Sequence, residues 1–494
     1  MIIPFILSVI AGALFVFLVN YGWRFLVYIG RGLRSSWPTK YQPAHDPKDN
    51  HVQILVLGDI GRSPRMQYHA ISIAKHGKKV DIIALKGWFH LIISDMSNLR
   101  ALLTVMVETA RHPELIGNPN ATLYPLDPLP EWLAWNNLSF FIQIPAKVIQ
   151  QFWTLFKTMM YTAPAAEWII IQNPPSIPTF HVSLFVAWMR GSKVIIDWHN
   201  YGHTILAQKG KLYAPLVPLY RRYEFFFGRR LCNVNLAVTD AMAKQLQTGK
   251  FGLGKPVHTL HDRPAAIFEP ITSRKEREEV LMRIHETRSQ AQDILDGNVR
   301  LIVSSTSWTA DEDFGILLSA LVAYASPREV DDENEPASPI LAIITGKGPQ
   351  RQIYLDKIKE LTDSGQLPGI KVVSAWLSNR DYAQLLAAAD LGISLHKSSS
   401  GVDLPMKVVD MFGAGLPVAA YSKFESFGEL VKEGVNGCGF ESASELHILF
   451  KRLLASDGAE ELATLKKGAI KEGSLRWDEE WNRVVAPLVG LGKE

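Results

Sequence analysis

Apolar residues along this chain fall into short continuous runs that alternate with stretches of helical periodicity. Strands buried on both faces of a parallel sheet give such unbroken runs, because neither face is solvated. Five runs lie in the first half: Val52–Gly58, Val80–Leu85, Trp168–Gln172, Val194–Trp198 and Val234–Val238. Five more lie in the second half: Arg300–Ser304, Ile340–Thr345, Lys371–Ser374, Leu391–His396 and Val418–Tyr421. The pattern predicts an α/β chain of two doubly wound, Rossmann-like domains that face a cleft.

The N-terminus has a different pattern. No charged side chain occurs between Met1 and Trp23, and the run from Ile2 to Val19 is almost wholly apolar. About 20 helical residues cross the hydrocarbon core of a bilayer. A cleaved signal peptide is the alternative, but its basic residues would precede the apolar run, whereas here they follow it. The sequence therefore predicts an uncleaved single-pass anchor with the rest of the chain in the cytoplasm.

Changes in pattern and charge set the predicted domain boundaries. We expect an anchor and juxtamembrane segment at 1–45, an N-terminal domain at 50–270, a charged linker at 271–298, a C-terminal domain at 299–472 and a C-terminal helix at 473–494. The segment Ser326–Pro339 is acidic and contains proline, so it is expected to be a flexible surface insertion.

Composition excludes several classes of function. The 494 residues carry 52 basic and 49 acidic side chains, a net charge of +3. This balance gives no support to nucleic-acid binding, which normally needs a strong basic excess. The two cysteines, Cys232 and Cys438, rule out a disulfide framework and a zinc site built of several cysteines. They are typical of a reducing compartment.

A glycine-rich turn follows the run Ile340–Thr345. Gly346 and Gly348 would let backbone N–H groups approach a ligand, and Lys347 could pair with phosphate oxygens beside the start of the next helix. The spacing is not that of a Walker A loop. An ordinary strand-to-helix turn is the alternative, so the turn alone does not define a phosphate site.

The segment 394–418 carries a stronger signal for a nucleotide site. The residues that could contact a nucleotide sugar are Ser399, Gly401, Asp403, Lys407 and Asp410. Lys407 and the start of the following helix could hold a diphosphate, and Asp410 could accept hydrogen bonds from both hydroxyls of a ribose. A solvated helix acid is the alternative for Asp410 taken alone.

These residues resemble a known site. The stretch SSSGVDLPMKVVDMFGAGLPV (398–418) resembles the nucleotide-sugar site of GT-B glycosyltransferases. Such enzymes commonly carry two acids separated by seven residues there, whereas six residues lie between Asp403 and Asp410. Three further segments complete the likeness: 57–70, 197–206 and 304–314. Together they are similar to the chitobiosyldiphosphodolichol β-mannosyltransferase family over nearly the whole chain, anchor included.

The resemblance implies a function. It implies an inverting enzyme that moves mannose from GDP-mannose to chitobiosyl-diphosphodolichol, forming a β-1,4 linkage in N-glycan precursor assembly at the endoplasmic reticulum membrane. The acceptor would bind the N-terminal domain and the nucleotide sugar the C-terminal domain. Other mannosyltransferases of the pathway are candidate partners in a complex. Two alternatives stay open: a membrane-anchored GT-B enzyme with another lipid-linked acceptor or donor, and a catalytically silent membrane scaffold.

Inversion by one displacement needs a general base, for which two residues of the first half compete. Asp59 ends the first strand, and His199 follows the fourth, beside Asp197. His199 is favoured because imidazole titrates near neutral pH. Each has a structural alternative, since Asp59 could cap the following helix and His199 could bond only to a loop. The loop of Asp59 also offers ligands for the acceptor or its diphosphate: Gly61, Arg62 and Arg65.

No cofactor is firmly implied. The acidic pattern Asp311-Glu312-Asp313 resembles the metal-nucleotide motif of a different glycosyltransferase fold, but its place before a helix favours acids at a helix start. A divalent cation is compatible with the chemistry, although no cluster of His, Cys and carboxylates has firm metal-ligand spacing.

Two further stretches could face a bilayer. Residues 145–161 are amphipathic, and residues 220–230 interleave four arginines with aromatic side chains. Packing against the first sheet is the alternative for the former stretch. A core helix with solvated arginines is the alternative for the latter.

Overall fold

The computed structural model describes residues 40–85, 89–91, 105–107, 112–127, 140–248, 252–309, 312–326, 338–455 and 457–491. These residues form two compact units. The N-terminal unit comprises the chain up to Leu236 together with Gln247–Val257, and the C-terminal unit comprises Ala237–Leu246 and the chain from His258. The predicted anchor at 2–19 lies outside the described residues. Within the described ranges, no helix is both long enough and apolar enough to cross a membrane.

A seven-stranded sheet forms the centre of the N-terminal unit. Its strands are β1 His51–Asp59, β2 Lys79–Leu85, β5 Ala121–Leu126, β6 Trp168–Asn173, β7 Lys193–Trp198, β8 Val234–Ala237 and β9 Val257–Thr259, and β3 Phe89–Leu91 pairs separately with β4 Val105–Val107. The spatial order is β5-β2-β1-β6-β7-β8-β9, with β5 through β7 parallel. Successive strands are added on one side of β1 up to β5 and on its other side from β6 onward. The position between β1 and β6 is therefore a topological switch point, where ligands of such sheets bind.

Five α-helices of this unit lie within the described residues. They are α1 Pro64–Lys75, α2 Phe140–Lys157, α3 Thr179–Arg190, α4 Gly202–Gln208 and α5 Val217–Leu231. Proline stands in the first turn of α1 and of α5, where its missing N–H costs no hydrogen bond. Helix α3 ends at Gly191, whose φ of +72° closes the helix in the left-handed conformation.

The C-terminal unit is built around a six-stranded parallel sheet. Its strands are β10 Arg300–Ser305, β11 Ile340–Thr345, β12 Ile370–Ala375, β13 Leu391–Ser394, β14 Val418–Tyr421 and β15 Gly437–Phe440, in the order β12-β11-β10-β13-β14-β15. Leu301 and Val303 lie in one hydrophobic core and Ile302 in another, because successive side chains of a strand point to opposite faces. Each face of this sheet is therefore buried, as the unbroken apolar runs predict.

The helices of the C-terminal unit occur before, between and after the strands of its sheet. They are α6 Asp240–Gln247, α7 Arg274–Arg283, α8 His285–Arg288, α9 Ala291–Asp296, α10 Phe314–Ala325, α11 Arg351–Asp363, α12 Asn379–Ala388, α13 Met406–Gly413, α14 Phe427–Leu430, α15 Ala443–Leu454, α16 Ala459–Gly473 and α17 Trp477–Val484. Helix α17 presents the fully buried Trp481 to the unit, so the chain after 473 is part of the same body.

Each predicted apolar run forms a strand, but the linker differs from the prediction. Residues 271–298 include α7, α8 and α9, and these helices contribute Val280, Leu281 and Ile294 to a hydrophobic core. The few apolar residues in this charged stretch are thus the ones that pack. The C-terminal unit also takes Ala237–Leu246 from the expected N-terminal domain, and its main part begins at His258 instead of after residue 270. Residues 327–337 of the expected insertion lie outside the described part of the chain.

Replacing Gly473 by alanine is expected to destabilise the C-terminal unit. An added Cβ would lie 1.9 Å from the Phe412 carbonyl oxygen, so α16 and α13 would have to separate. Overpacking of this kind costs about 1–3 kcal/mol, or several degrees in melting temperature. Gly428→Ala is the control, since a Cβ there meets no atom within 4 Å. Equal melting temperatures of the two variants would contradict this close helix contact.

Candidate active site

Loops that follow β10 and β11 pack directly on each other at the carboxyl edge of the C-terminal sheet. A Cβ at Gly346 would lie 1.8 Å from the Thr306 carbonyl oxygen, and one at Gly348 would lie 1.8 Å from that of Ser307. Gly346 also has a φ of +125°. Contact between the two loops therefore explains why both positions require glycine, whereas the sequence suggests close approach of a ligand as the reason.

Lys347, between these glycines, lies at the exposed end of the turn. Its Nζ is 4.0 Å from the centre of the Trp376 ring, which is a cation–π contact. Arg351, at the start of α11, donates from Nε to the Ser374 hydroxyl at 3.2 Å. The predicted contact of Lys347 with phosphate stays a prediction.

A buried carboxylate, Glu312, joins the loop after β10 to α13. It accepts hydrogen bonds from the Thr306 hydroxyl at 2.6 Å, from the Ser307 backbone N–H and from the Lys407 ammonium. Lys407 also donates to the Ser307 hydroxyl at 3.1 Å. Glu312 thus holds a cation at the first turn of α13. The sequence indicates only an acid at a helix start here, because 95 residues separate the pair.

Asp403 closes the serine-rich loop that precedes α13. Its carboxylate accepts hydrogen bonds from the hydroxyls of Ser398 and Ser400 and lies 3.4 Å from Nε2 of His396. Burial would raise the pKa of Asp403, but His396 and Ser398 together hold it below its usual range. Gly401, at a φ of +78°, donates its N–H to the Ser398 hydroxyl. The predicted donor contacts of three loop residues stay predictions: Ser399, Gly401 and Asp403.

Asp410 differs from the other acids of this edge. No described residue hydrogen-bonds to its carboxyl group. Burial, and secondly the neighbouring Asp262, raise its pKa to about 8. Tyr382 also lies close to it, with its hydroxyl 2.9 Å from the Ser305 hydroxyl oxygen. The side chain is half-buried and has no hydrogen-bond partner among the described residues, so its carboxyl oxygens are available to a ligand that supplies hydrogen bonds.

A buried ion pair lies at the carboxyl end of β7 in the N-terminal unit. Asp197 accepts two hydrogen bonds from the Arg65 guanidinium, at 2.8 and 2.9 Å. His69 and His199 approach the same carboxylate through Nε2, at 3.2 and 2.8 Å. Burial would raise the pKa of Asp197, but Arg65 and His199 outweigh burial and hold that pKa well below its usual range. Asp197 is therefore ionised at neutral pH.

His199 has the geometry of a general base. Its side chain is 22% exposed, whereas His69 is fully buried and burial lowers the pKa of His69. Because Nε2 of His199 faces an ionised carboxylate, the neutral ring keeps its proton there and presents a lone pair on Nδ1. No described residue hydrogen-bonds to that Nδ1. The arrangement suits the predicted base, whose role stays a prediction.

The loop after β1 gives Asp59 a structural task. Its carboxylate accepts the Gly61 N–H at 3.0 Å and so caps the short turn Ile60–Arg62, which is the structural alternative. Arg62 is exposed, with Nε 3.9 Å from Asp59. Arg65 is only 2% exposed and bonded to Asp197, which argues against the predicted contact with a lipid diphosphate. Sequence alone could not reveal this pairing, because the two residues are 132 positions apart.

One group of metal-type ligands occurs among the described residues. Asp240, His261 and Glu429 offer ligand atoms within 4.8 Å of one another. The Glu429 carboxylate accepts the N–H groups of Asp240 at 2.6 Å and Ala241 at 2.8 Å, so it caps the start of α6. His261 lies 3.4 Å from the same carboxylate. These contacts account for the group without a metal ion.

Sequence comparison identifies relatives over most of the chain, although no protein-family model matches it. It is 44% identical to the chitobiosyldiphosphodolichol β-mannosyltransferase of Arthroderma benhamiae, over 79% of this chain and 86% of the relative. It is 38% identical to the Homo sapiens protein of the same name, over 89% of this chain and 92% of the relative. The chain belongs to this family. The resemblance seen in the sequence is thereby confirmed, and the chain is a glycosyltransferase.

Solved structures support the fold of this family member. Anabaena HepE in complex with UDP-glucose superposes with a TM-score of 0.55 at 16% identity, covering 90% of this chain and 100% of HepE. Sucrose-phosphate synthase from Thermosynechococcus elongatus gives a TM-score of 0.56 at 11% identity, covering 87% and 96%. At such identities the likeness concerns the fold alone. It confirms a GT-B-like fold with two Rossmann-like domains.

Asp410→Asn is expected to stabilise the protein increasingly as pH rises. The carboxyl group titrates near 3.8 when unfolded but at about 8 when folded. Between these values the unfolded state binds fewer protons, so wild-type stability falls with rising pH by up to about 1.4 kcal/mol per unit. Denaturant unfolding at pH 5 and pH 8 should show a larger advantage of the variant at pH 8. An advantage that does not change with pH would contradict a raised pKa of Asp410 in the folded protein.

Proposed function

We propose that this chain transfers mannose from GDP-mannose to chitobiosyl-diphosphodolichol, forming the β-1,4 linkage of the N-glycan precursor with inversion. Membership of the family, with relatives at 36–44% identity over most of the chain, is the observation that carries the proposal. The proposal includes the cytoplasmic face of the endoplasmic reticulum as the location and a single N-terminal transmembrane helix at 2–19 as the anchor.

Donor binding is assigned to the C-terminal unit. Lys407, held by Glu312 at the first turn of α13, supplies positive charge for the diphosphate, and the N–H groups of the helix start add to it. Asp410 lies three residues further along the same helix, so the two side chains project from neighbouring positions of one face. Its unsatisfied carboxyl group can accept hydrogen bonds from the ribose hydroxyls. Spacing and charge thus suit a nucleoside diphosphate.

The proposed transfer is a single displacement. The acceptor hydroxyl oxygen bonds to the anomeric carbon while the bond from that carbon to the GDP oxygen breaks on the opposite face, which inverts the configuration. His199 takes the hydroxyl proton on Nδ1, and Asp197 stabilises the imidazolium that results. The bonding electron pair leaves with GDP, whose added negative charge is stabilised by Lys407.

No cofactor is firmly implied for this step, and a divalent cation is compatible with the chemistry. The Lys407 ammonium and the helix-start N–H groups provide the positive charge that a divalent cation provides in many enzymes acting on nucleotide phosphates. A complex with other mannosyltransferases of the pathway stays a prediction from the resemblance.

Purified full-length protein supplied with GDP-mannose and a chitobiosyl-diphosphate lipid tests the proposal directly. A β-1,4-mannosylated product supports it. An α-linked product, or transfer from a UDP-sugar in place of GDP-mannose, indicates a glycosyltransferase of different specificity. Binding of GDP without any turnover indicates a silent scaffold.

Loss of the Lys407 charge is expected to weaken use of the donor. A charged hydrogen bond contributes about 1.5–3 kcal/mol, so Lys407→Met should raise KM for GDP-mannose by roughly tenfold or more. The change also leaves Glu312 buried and unpaired, so the double variant with Glu312→Gln separates loss of charge from misfolding. Lys423→Met is the control, because Lys423 is exposed and pairs only loosely with Glu441 at 3.6 Å. A wild-type KM in the folded double variant would exclude Lys407 as a donor ligand.

Removal of the His199 imidazole is expected to slow turnover without changing GDP affinity. General base catalysis typically contributes about 10²- to 10⁴-fold, so kcat of His199→Ala should fall by about 100-fold or more. His45→Ala is the matched control in the same unit, since His45 is exposed. Kinetics together with calorimetric titration of GDP separate the two effects. A near-normal kcat would exclude His199 as the general base and leave Asp59 as the candidate.

A further inference from the structure

The N-terminal unit exposes a set of large apolar side chains on its helices and on the turns beside them. Six of them belong to the turn after α2, to α3 and to the segment that ends in α5: Tyr161, Phe185, Trp188, Leu216, Leu219 and Phe226. Trp188 is 73% exposed and Leu219 is 65% exposed. Single exposed apolar residues are ordinary, but a group on adjoining helices marks an interaction surface.

Contacts between α3 and α5 hold the two helices side by side. His181 on α3 lies 2.5 Å from the Tyr223 hydroxyl on α5, and its ring packs against that of Phe227. Phe185 and Trp188 follow His181 by one and two helical turns, on the same face of α3. We call the exposed residues of α3 together with those of 209–230 the α3–α5 surface. The stretch 145–161 packs against this surface: Leu155, Phe156 and Met159 are buried, and the ring of Phe156 lies against that of Phe185.

Positive charge accompanies these apolar groups. Six basic side chains of the α3–α5 surface are exposed: Lys209, Lys211, Arg221, Arg222, Arg229 and Arg230. The one acid between 202 and 231 is Glu224, which is fully buried and occupied by Asn173, the Gly202 N–H and His203. Helices α2 and α3 contain no acid. These segments therefore carry more basic than acidic side chains, and the one acid is buried.

We propose that the α3–α5 surface docks on the headgroup region of an anionic lipid bilayer. Arginine and lysine are attracted to the phosphates and carboxylates of such lipids, while tryptophan, phenylalanine and leucine side chains enter the boundary with the acyl chains. This deepens the proposed function and relies on it for the reason a bilayer is present, because a lipid-linked acceptor is reached at a membrane surface.

Lipid suits this surface better than single-stranded nucleic acid does. Single-stranded nucleic acid is bound by aromatic rings on which bases stack. Here two of the exposed side chains are aliphatic: Leu216 lies just before α5 and Leu219 in its first turn, and they follow Pro215 and Pro218. Such groups gain by leaving water for an apolar phase, not by stacking.

The test measures whether residue 219 of the full-length protein enters the acyl-chain region of lipid vesicles. Leu219→Cys carries a bimane label, and Cys232 and Cys438 are buried and should react little. Vesicles contain brominated acyl chains, either with phosphatidylcholine alone or with about 30% phosphatidylserine. We expect strong quenching of the label in vesicles that contain phosphatidylserine. Quenching should fall at least about twofold in vesicles of phosphatidylcholine alone, and by a similar factor when Lys211→Glu and Arg222→Glu are added to the labelled variant. The matched control is Ile116→Cys, which is also exposed and lies beside β5 at the sheet edge.

Several results would overturn the proposal. They are equal quenching at 116 and 219, quenching that ignores both lipid charge and the two substitutions, and displacement of the label from lipid by added polyadenylate. Mannosyl transfer to a short-chain, water-soluble chitobiosyl diphosphate is measured in parallel. Quenching without any mannosyl transfer would count against the proposed function but support docking of the α3–α5 surface on lipid. Mannosyl transfer without quenching would support the proposed function but overturn the docking proposal.

Discussion

A carboxylate removed from water must be paired, protonated or satisfied by a ligand, because its desolvation costs several kcal/mol. This constraint organises the polar ends of both sheets. Asp197 is paired with Arg65, Glu312 with Lys407 and Asp403 with His396 and two serines. Asp410 has no such partner among the described residues, and its pKa is raised accordingly. The exception is the acid best suited to a ligand.

The pairing partners also hold the loops of the candidate site in place. Glu312 connects the loop after β10 to the helix that carries both Lys407 and Asp410. Arg65, from α1, reaches the end of β7 and holds the acid that orients His199. In each unit a buried ion pair therefore positions a more exposed group that can meet a substrate. Preorganised charge of this kind is what transfer of an anionic leaving group requires.

Much of the fold could be predicted from the sequence. Strands buried on both faces produce continuous apolar runs, and each predicted run is a strand. Five strands were not predicted: β3, β4, β5, β9 and β15. Strands β3, β4 and β9 have three residues each, β5 is half-exposed at an edge, and β15 reads Gly-Cys-Gly-Phe. Their pairing depends on a neighbouring strand and not on their own pattern. The charged stretch 271–298 likewise packs through a few apolar residues that its composition conceals.

The sequence by itself determined the two α/β units and the helix that bears Lys407 and Asp410, because these depend on local spacing. Its resemblance to known sequences indicated the family. Only the tertiary structure decided what each charged group does. Arg62 and Arg65 look alike in the sequence, yet one is exposed and the other is buried against Asp197. Glu312 and Lys407 are likewise far apart in sequence and joined in space. Such pairings arise from how strands and helices pack, and packing brings together residues whose local patterns carry no record of each other.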